Sequence, residues 1–469
     1  MNVEVPTIAE ASALIAAKKL SPVDLVRACI DRIDARDGEL NVFLYRNDSE
    51  AIAAARKAED DIARGCLRGP LHGIPIVLKD IFDTKGIPTT AHSKLLAGHV
   101  PDKDATAVRR LIEAGALILG KVALHEFAFG GPSWDLPWPP ACNPWSMQHQ
   151  TGGSSSGSAV AVAAGFSLGA LGTDTGGSIR TPAAYCGITG LKPTYGRVSR
   201  SGVFPLAYSL DHVGPMTWSV EDCAILLEAI AGYDETDPGS ADRPVPEYFR
   251  SVGRSVKGLR VGVIRHFHES ESPVSEATRR GIHNVIEALR DAGADISEVE
   301  LSAPIEWRAV GLLTTLVEGF SIHEPWLQAR LHEYGELLRD RLSLGGLISG
   351  ADYMQAKRRR RELCDELSSV MRDFDILVTA TVVSEAPRLG EISKWAMLDR
   401  PNFASPFNIS GYPAMSICTG YGSNDLPVAA QLVARPFDEE TLLRTGHVCE
   451  RAWSGKRKRP SLMRESAMQ

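Results

Sequence analysis

Residues 158–170, SAVAVAAGFSLGA, are small and apolar on every face that a helix would present. A segment with no side for water must be buried between close neighbours, and the rest of the chain supplies layers to bury it. Thr7-x-x-Glu10 is a capping box for a first helix stopping near Leu20, and Ser21-Pro22 opens a second with Val23, Val26, Ile30 and Ile33 at helical spacing. An Ala-rich helix is expected over 49–64. GIPIVLKD (73–80) reads as a buried strand ending at Lys79, with a helix over 104–114 and a strand over 116–119 after it. Beyond a helix at 219–231, the Pro-, Gly- and Asp-rich stretch 232–246 is a loop. LRVGVI (259–264), a helix at 274–293 and DISEVEL (295–301) then form a βαβ pattern. Helices follow to about residue 372, then strands DILVTA (375–380), PAMSIC (413–418) and VAAQLV (428–433), and a last helix at 438–452. No internal repeat or linker interrupts the alternation. The expectation is an α/β fold forming one domain over 1–469, with a core at about 70–220 and a C-terminal part at about 258–455 completing the sheet and pocket.

Charge narrows the class. A formal net charge of −7 argues against a generic nucleic-acid binder. KRRRR (357–361) lies in a helical pattern with Glu362, Asp365 and Glu366 and reads as a solvated helix face, and KRKR (456–459) reads as a frayed end. The eight cysteines are scattered, with no CxxC and no His cluster at metal-ligand spacing, so reduced thiols, no metal and no cofactor are expected. The first 20 residues lack the character of a signal peptide, and no apolar run approaches a membrane span of about 20 residues. A cytoplasmic protein without a membrane partner is expected.

Two Gly/Ser-rich runs flank the apolar helix: TGGSSSGS (151–158) and GTDTGGSIRTP (172–182). GALILGKV (115–122) matches a phosphate-loop pattern but ends in Val122, where Ser or Thr is needed, and its Ala-Leu-Ile-Leu belongs in a strand. Gly153-Ser154-Ser155-Ser156-Gly157 satisfies G-x-S-x-G, yet polar NPWSMQHQ precedes it where a nucleophile elbow needs an apolar strand. A flexible linker would not bracket a buried helix or place Asp174 and Arg180 around Gly-Gly-Ser.

A serine–lysine reading remains. Without a histidine, a neutral lysine serves as base, and Lys79 ends an apolar strand where desolvation lowers its pKa. A lysine at a strand end also snorkels to solvent. Gly176 and Gly177 before Ser178 permit a turn whose N–H groups converge on an oxyanion, although a plain turn or helix start explains them equally. The residues alone reach a candidate Ser/Lys hydrolase.

With these residues stands a resemblance. GIPIVLKDIFDTKGIPTT (73–90), TGGSSSGSAVAVAAG (151–165), GTDTGGSIRTPAAYCGITGLKPTYGRVSRSG (172–202), SLDHVGPMT (209–217), NISGYPAMS (408–416) and QLVARPFDE (431–439) closely resemble the amidase signature family. The resemblance implies a large mixed, twisted β-sheet with helices on both faces, and a Ser–cis-Ser–Lys triad. Ser178 fills the nucleophile position, Ser154 the cis-serine position and Lys79 the base position. It further implies an oxyanion hole from Thr175, Gly176, Gly177 and Ser178, support from Ser155, Asp174 and Arg180, an acyl-enzyme, and an alkaline activity optimum.

KPTYGRVSRSG and SLDHVGPMT resemble the branch of A subunits of tRNA-dependent amidotransferases, which release ammonia from glutamine for a partner subunit. Where that branch has a substrate-binding Asp before Pro-x-Asn, this chain reads RPNFASPFN (400–408), with Pro401 in its place. Trp134, Trp138 and Trp145 put aromatic rings on the loop leading into the site, as substrate contacts or as packing. Phe129, Gly130 and Trp134 are the candidate substrate-binding residues. The expectation is therefore an amidase for a small, fairly apolar carboxamide, anilide or carbamate, the alternative being the A subunit of such an amidotransferase. Its partner is expected to be that small molecule, with no nucleic acid, and a homodimer is open to the chain.

Overall fold

Strand and helix segments of the sequence assemble around one sheet of eleven strands. A computed structural model of the protein describes residues 5–399 and 402–461. The strands are β1 Phe43–Arg46, β2 Pro75–Lys79, β3 Leu117–Val122, β4 Gly169–Asp174, β5 Thr189–Lys192 and β6 His212–Thr217, then β7 Arg260–Val263, β8 Asp295–Glu298, β9 Ile376–Ala380, β10 Ala414–Tyr421 and β11 Pro427–Ala434. Their spatial order is β1-β3-β2-β4-β6-β5-β10-β11-β9-β7-β8. The pairs β3/β2, β2/β4, β9/β7 and β7/β8 are parallel and the others antiparallel. The sheet is mixed and flanked by helices, as expected. Its two halves meet where β5 pairs with β10, Lys192 opposite Ala414.

The phosphate-loop match at 115–122 is strand β3, buried throughout, and its Lys121 Nζ pairs with Asp80 at 2.9 Å. The small apolar helix is shorter than expected. It runs Ser156–Ala163, all eight residues buried, and Gly165 at φ 72° turns the chain toward β4. A Cβ on Gly157 would lie 2.6 Å from the Ala123 backbone nitrogen, so glycine allows this helix to press against the end of β3.

The basic tail does not fray. The Arg457 and Arg459 guanidiniums lie 4.2 Å and 4.0 Å from the centre of the Trp218 ring, a cation–π arrangement. Arg457 also pairs with Glu450 at 2.5 Å, and Arg459 donates to the Val162 carbonyl at 2.8 Å, near the C-terminal end of the buried small-residue helix. KRRRR likewise does more than face water. It lies in the helix Gly350–Val370, where Arg359 pairs with Glu306 and Arg360 donates to the Ile409 carbonyl and Ser209.

Candidate active site

β2 carries its apolar side chains into the core and delivers Lys79 at its end with no exposure to solvent, which removes the snorkelling alternative. Lys79 Nζ lies 2.8 Å from Ser154 Oγ, 3.1 Å from Ser155 Oγ and 2.7 Å from Thr173 Oγ1. Burial pulls its pKa down to about 7, against the opposing influence of the Asp174 and Asp211 charges. An ammonium offers three protons and satisfies all three oxygens, whereas a neutral amine donates two and accepts one. Ser155 donates its own proton to the Thr173 carbonyl at 3.2 Å, so Ser154 and Thr173 are the hydroxyls left to donate to the lysine lone pair.

Ser154 follows Gly153 through a cis peptide bond. Its carbonyl accepts the His125 N–H at 3.0 Å, and the next N–H, of Ser155, donates to the Ser178 carbonyl at 3.1 Å. The His125 ring covers Gly153 so closely that a Cβ there would lie 2.1 Å from Cε1. Burial, and then the Arg341 and Lys79 charges, push His125 down to about 3, so its imidazole stays neutral. Exposure separates the three serines. Ser154 and Ser155 are 2% and 0% exposed, while Ser178 is half-buried and presents surface to an incoming molecule.

Ser178 stands on the turn after β4. The turn is shaped by Asp174, whose carboxylate accepts the Gly177 N–H at 2.7 Å and the Ile179 N–H at 3.1 Å. Gly177, at φ 118°, thus gives to Asp174 the N–H that the resemblance assigned to an oxyanion. The Gly176 and Ser178 N–H groups meet no acceptor among the described residues. Arg180 Nε and NH2 clasp Asp174 at 3.0 and 2.9 Å, while NH1 and NH2 reach Gln431 Oε1 and Asn408 Oδ1, each at 2.6 Å. Burial alone would raise the Asp174 pKa, but Arg180 and Asn408 hold the carboxyl well below the usual range. Removing one member of such a buried pair strands the other. Arg180→Ala should cost about 3–5 kcal/mol, read as a lower urea midpoint with an unchanged slope.

Asn402, Asn408 and Gln431 had no signal of their own in the sequence. They reach the turn from far downstream, Asn402 Nδ2 donating to the Gly176 carbonyl at 2.8 Å. Pro401 lies outside the described residues.

The residues expected to bind substrate are not one apolar wall. The Phe129 and Gly130 carbonyls accept hydrogen bonds from Arg341 at 2.9 and 2.6 Å, and Trp134 is 64% exposed. Trp138 edges the His92 ring, and Trp145 packs on Tyr421 and donates to the Cys186 carbonyl at 2.9 Å. Two of the three tryptophans are packing residues. A cavity of about 610 Å³ opens beside the turn, walled by Thr173, Thr175 and Ala128 and, further out, by Arg200, Tyr208 and Pro238. Ser178 does not line it.

A family model described as Amidase matches residues 24–443. The chain belongs to the amidase family, and it is an enzyme that cleaves amide C–N bonds. It is 40% identical, over 98% of each chain, to the A subunit of the glutamyl-tRNA(Gln) amidotransferase of Chloroflexus aggregans. It is 41% identical to the protein of the same name from Moorella thermoacetica, over 97% of this chain and 98% of that one. A solved structure from work on a vestigial protein complex and the origins of an s-triazine catabolic enzyme superposes with a TM-score of 0.89, at 32% identity over 95% of this chain and 98% of that one.

These relatives overturn two expectations. A stand-alone amidase for a small apolar amide does not fit a chain so similar, from end to end, to amidotransferase A subunits. The tryptophans that suggested it pack elsewhere or face solvent. Nor does a small molecule as sole partner, with nucleic acid excluded, fit relatives named as A subunits of a glutamyl-tRNA(Gln) amidotransferase. Net charge argues against a broad electrostatic footprint on this chain alone, and it says nothing of nucleic acid held by a companion subunit. No described helix is long and apolar enough to cross a membrane.

Proposed function

We propose that this chain is the glutaminase subunit of a tRNA-dependent amidotransferase, working in the cytoplasm and releasing ammonia from glutamine for a partner that amidates glutamyl-tRNA. End-to-end similarity to subunits of that name supports the reading. The chemistry rests on one observation, the solvent-free amine of Lys79 against Ser154 Oγ at 2.8 Å.

Ser178 Oγ attacks the carboxamide carbon of the glutamine side chain. Its proton passes to Ser154, whose own proton passes to Lys79. The negative charge on the former carbonyl oxygen is met by the Gly176 and Ser178 N–H groups, with Thr175 beside them. Lys79 returns its proton through Ser154 to the leaving nitrogen, and ammonia departs from a glutamyl ester of Ser178. Water, activated by the same pair, hydrolyses that ester to glutamate. Asp174 and Arg180 hold the turn in place, and Ser155 positions the lysine.

The test is ammonia release from glutamine by the purified chain, alone and with its companion subunits and charged tRNA. Glutaminase activity that rises when the partners and glutamyl-tRNA are added is the expected result. Hydrolysis of simple amides with no response to glutamine or partners would end this reading.

A further inference from the structure

Three side chains from distant parts of the chain grip the turn that carries Ser178. Asp174 holds the Gly177 N–H at 2.7 Å, Asn402 holds the Gly176 carbonyl at 2.8 Å, and Asp211 holds the Thr175 hydroxyl at 2.6 Å. Sheet register brings the third of these into place. Asp174, the last residue of β4, pairs with His212, the first of β6, so Thr175 and Asp211 face each other one residue beyond the pairing. Asp211 Oδ2 accepts the Leu206 and Ala207 N–H groups at 2.9 and 3.0 Å, and its own N–H donates to the Ala207 carbonyl at 2.9 Å. The loop thus fixes the carboxylate and leaves Oδ1 for Thr175.

No cation bonds to Asp211 among the described residues, and Arg200, the nearby charge, is clasped by Asp237 at 2.7 Å. Burial raises the Asp211 pKa to about 6, so at neutral pH and above it is a carboxylate that only accepts. Thr175 is buried, and its hydroxyl makes no other hydrogen bond among the described residues. The peptide joining Thr175 to Gly176 is therefore held on one side by Asp211 and on the other, through the Gly176 carbonyl, by Asn402. Its own N–H meets no acceptor among the described residues, and a Cβ on Gly176 would find nothing within 4 Å. A free donor beside open space, on a peptide anchored from both sides, has its direction set before substrate arrives, which is what makes a donor effective toward developing charge.

We propose that Asp211 is a positioning residue for amide hydrolysis, fixing through the Thr175 hydroxyl the direction in which the Gly176 N–H points at the oxyanion. The role rests on the attack by Ser178 set out above. It holds for any amide the enzyme cleaves, because the oxyanion is common to all of them, and it acts on the transition state while leaving ground-state binding of the substrate alone.

The test compares wild type with Thr175→Val, Thr175→Ser, Asp211→Asn and the double variant Thr175→Val/Asp211→Asn, on glutamine and on propionamide. Valine keeps the shape of threonine and loses its hydroxyl, so kcat should fall by about tenfold to a hundredfold with KM within about twofold of wild type. Serine restores the hydroxyl and should restore most of the rate. Asp211→Asn should also lower kcat, and adding Thr175→Val to it should cost little more, because both changes break one link. Asparagine places an amide N–H where Oδ2 accepts two backbone donors, and should that variant fail to fold, the valine and serine variants decide. A folded Thr175→Val with wild-type kcat, a serine variant as slow as the valine one, or fully additive losses in the double variant overturns the role. Wild type that hydrolyses propionamide but not glutamine rejects the glutaminase reading, and the role of Asp211 is then decided by the same comparisons on propionamide.

Discussion

Ser178→Ala should lower glutamine hydrolysis by at least about 10⁴-fold while leaving the melting temperature within a degree or two of wild type, about the range of a neutral surface change. The Ser178 hydroxyl makes no hydrogen bond to any described residue, so deleting it orphans no buried group. Ser155→Ala is the instructive contrast. Its buried oxygen accepts from Lys79 and the Thr173 N–H and donates to the Thr173 carbonyl, so its loss should unsettle the lysine and lower stability as well as rate. Steady-state ammonia release and thermal melts on the same preparations separate the two. An active Ser178→Ala protein would remove the proposed nucleophile.

Lys79→Met should be as inactive as the serine variant, and its stability relative to wild type should depend on pH in a defined way. Because burial lowers the Lys79 pKa to about 7, the amine able to take a proton prevails above that pH, and wild-type kcat/KM should rise as pH climbs through 7 to a plateau. An unfolded lysine titrates at about 10.4. Below about pH 7 both states carry the proton and the cost of burying an ammonium is fully felt. Between about 7 and 10.4 the unfolded chain binds the extra proton, so this group makes wild type more stable as pH rises. Methionine removes that dependence, and its stability relative to wild type should be most favourable near pH 6 and least near pH 10. Denaturant unfolding at several pH values measures it, and a wild-type rate that falls as pH rises through 7 would remove lysine as the base.

Apolar patterning made β2, β3, β7 and β9 to β11 legible, because each is rich in β-branched or aliphatic residues, whereas β8, DISE, showed only through the βαβ pattern around it. β5 and β6 were not. They read TGLK and HVGPMT, and Pro215 sits opposite Leu171 in the middle of the sheet, where a residue lacking an N–H argues against a strand. Tertiary fit overrides propensity there: a Cβ on Gly214 would lie 2.1 Å from the Leu191 carbonyl oxygen. In the site, Lys79, Ser154 and Ser178 were visible through spacing and resemblance. Asn408 and Gln431 were not, since an amide in a strand or short helix carries no mark of the arginine it will meet. Arg341 escaped notice among helical charges that otherwise look solvated. The tryptophan loop misled because aromatic residues near a site report bulk, and only their orientation tells whether a ring faces substrate.

The seam between β5 and β10 bears on the order in which function arises during synthesis. Asp174 and Arg180 leave the ribosome early, and at roughly 5–20 residues per second they wait many seconds for Asn408 and Gln431. Until then Arg180 lacks these two acceptors, and before Ala404 emerges a third, and the inner edge of the first half-sheet is bare. A chain released early has its serines and lysine but not the buried contacts that hold them in place, so activity belongs only to copies whose translation has run past Gln431.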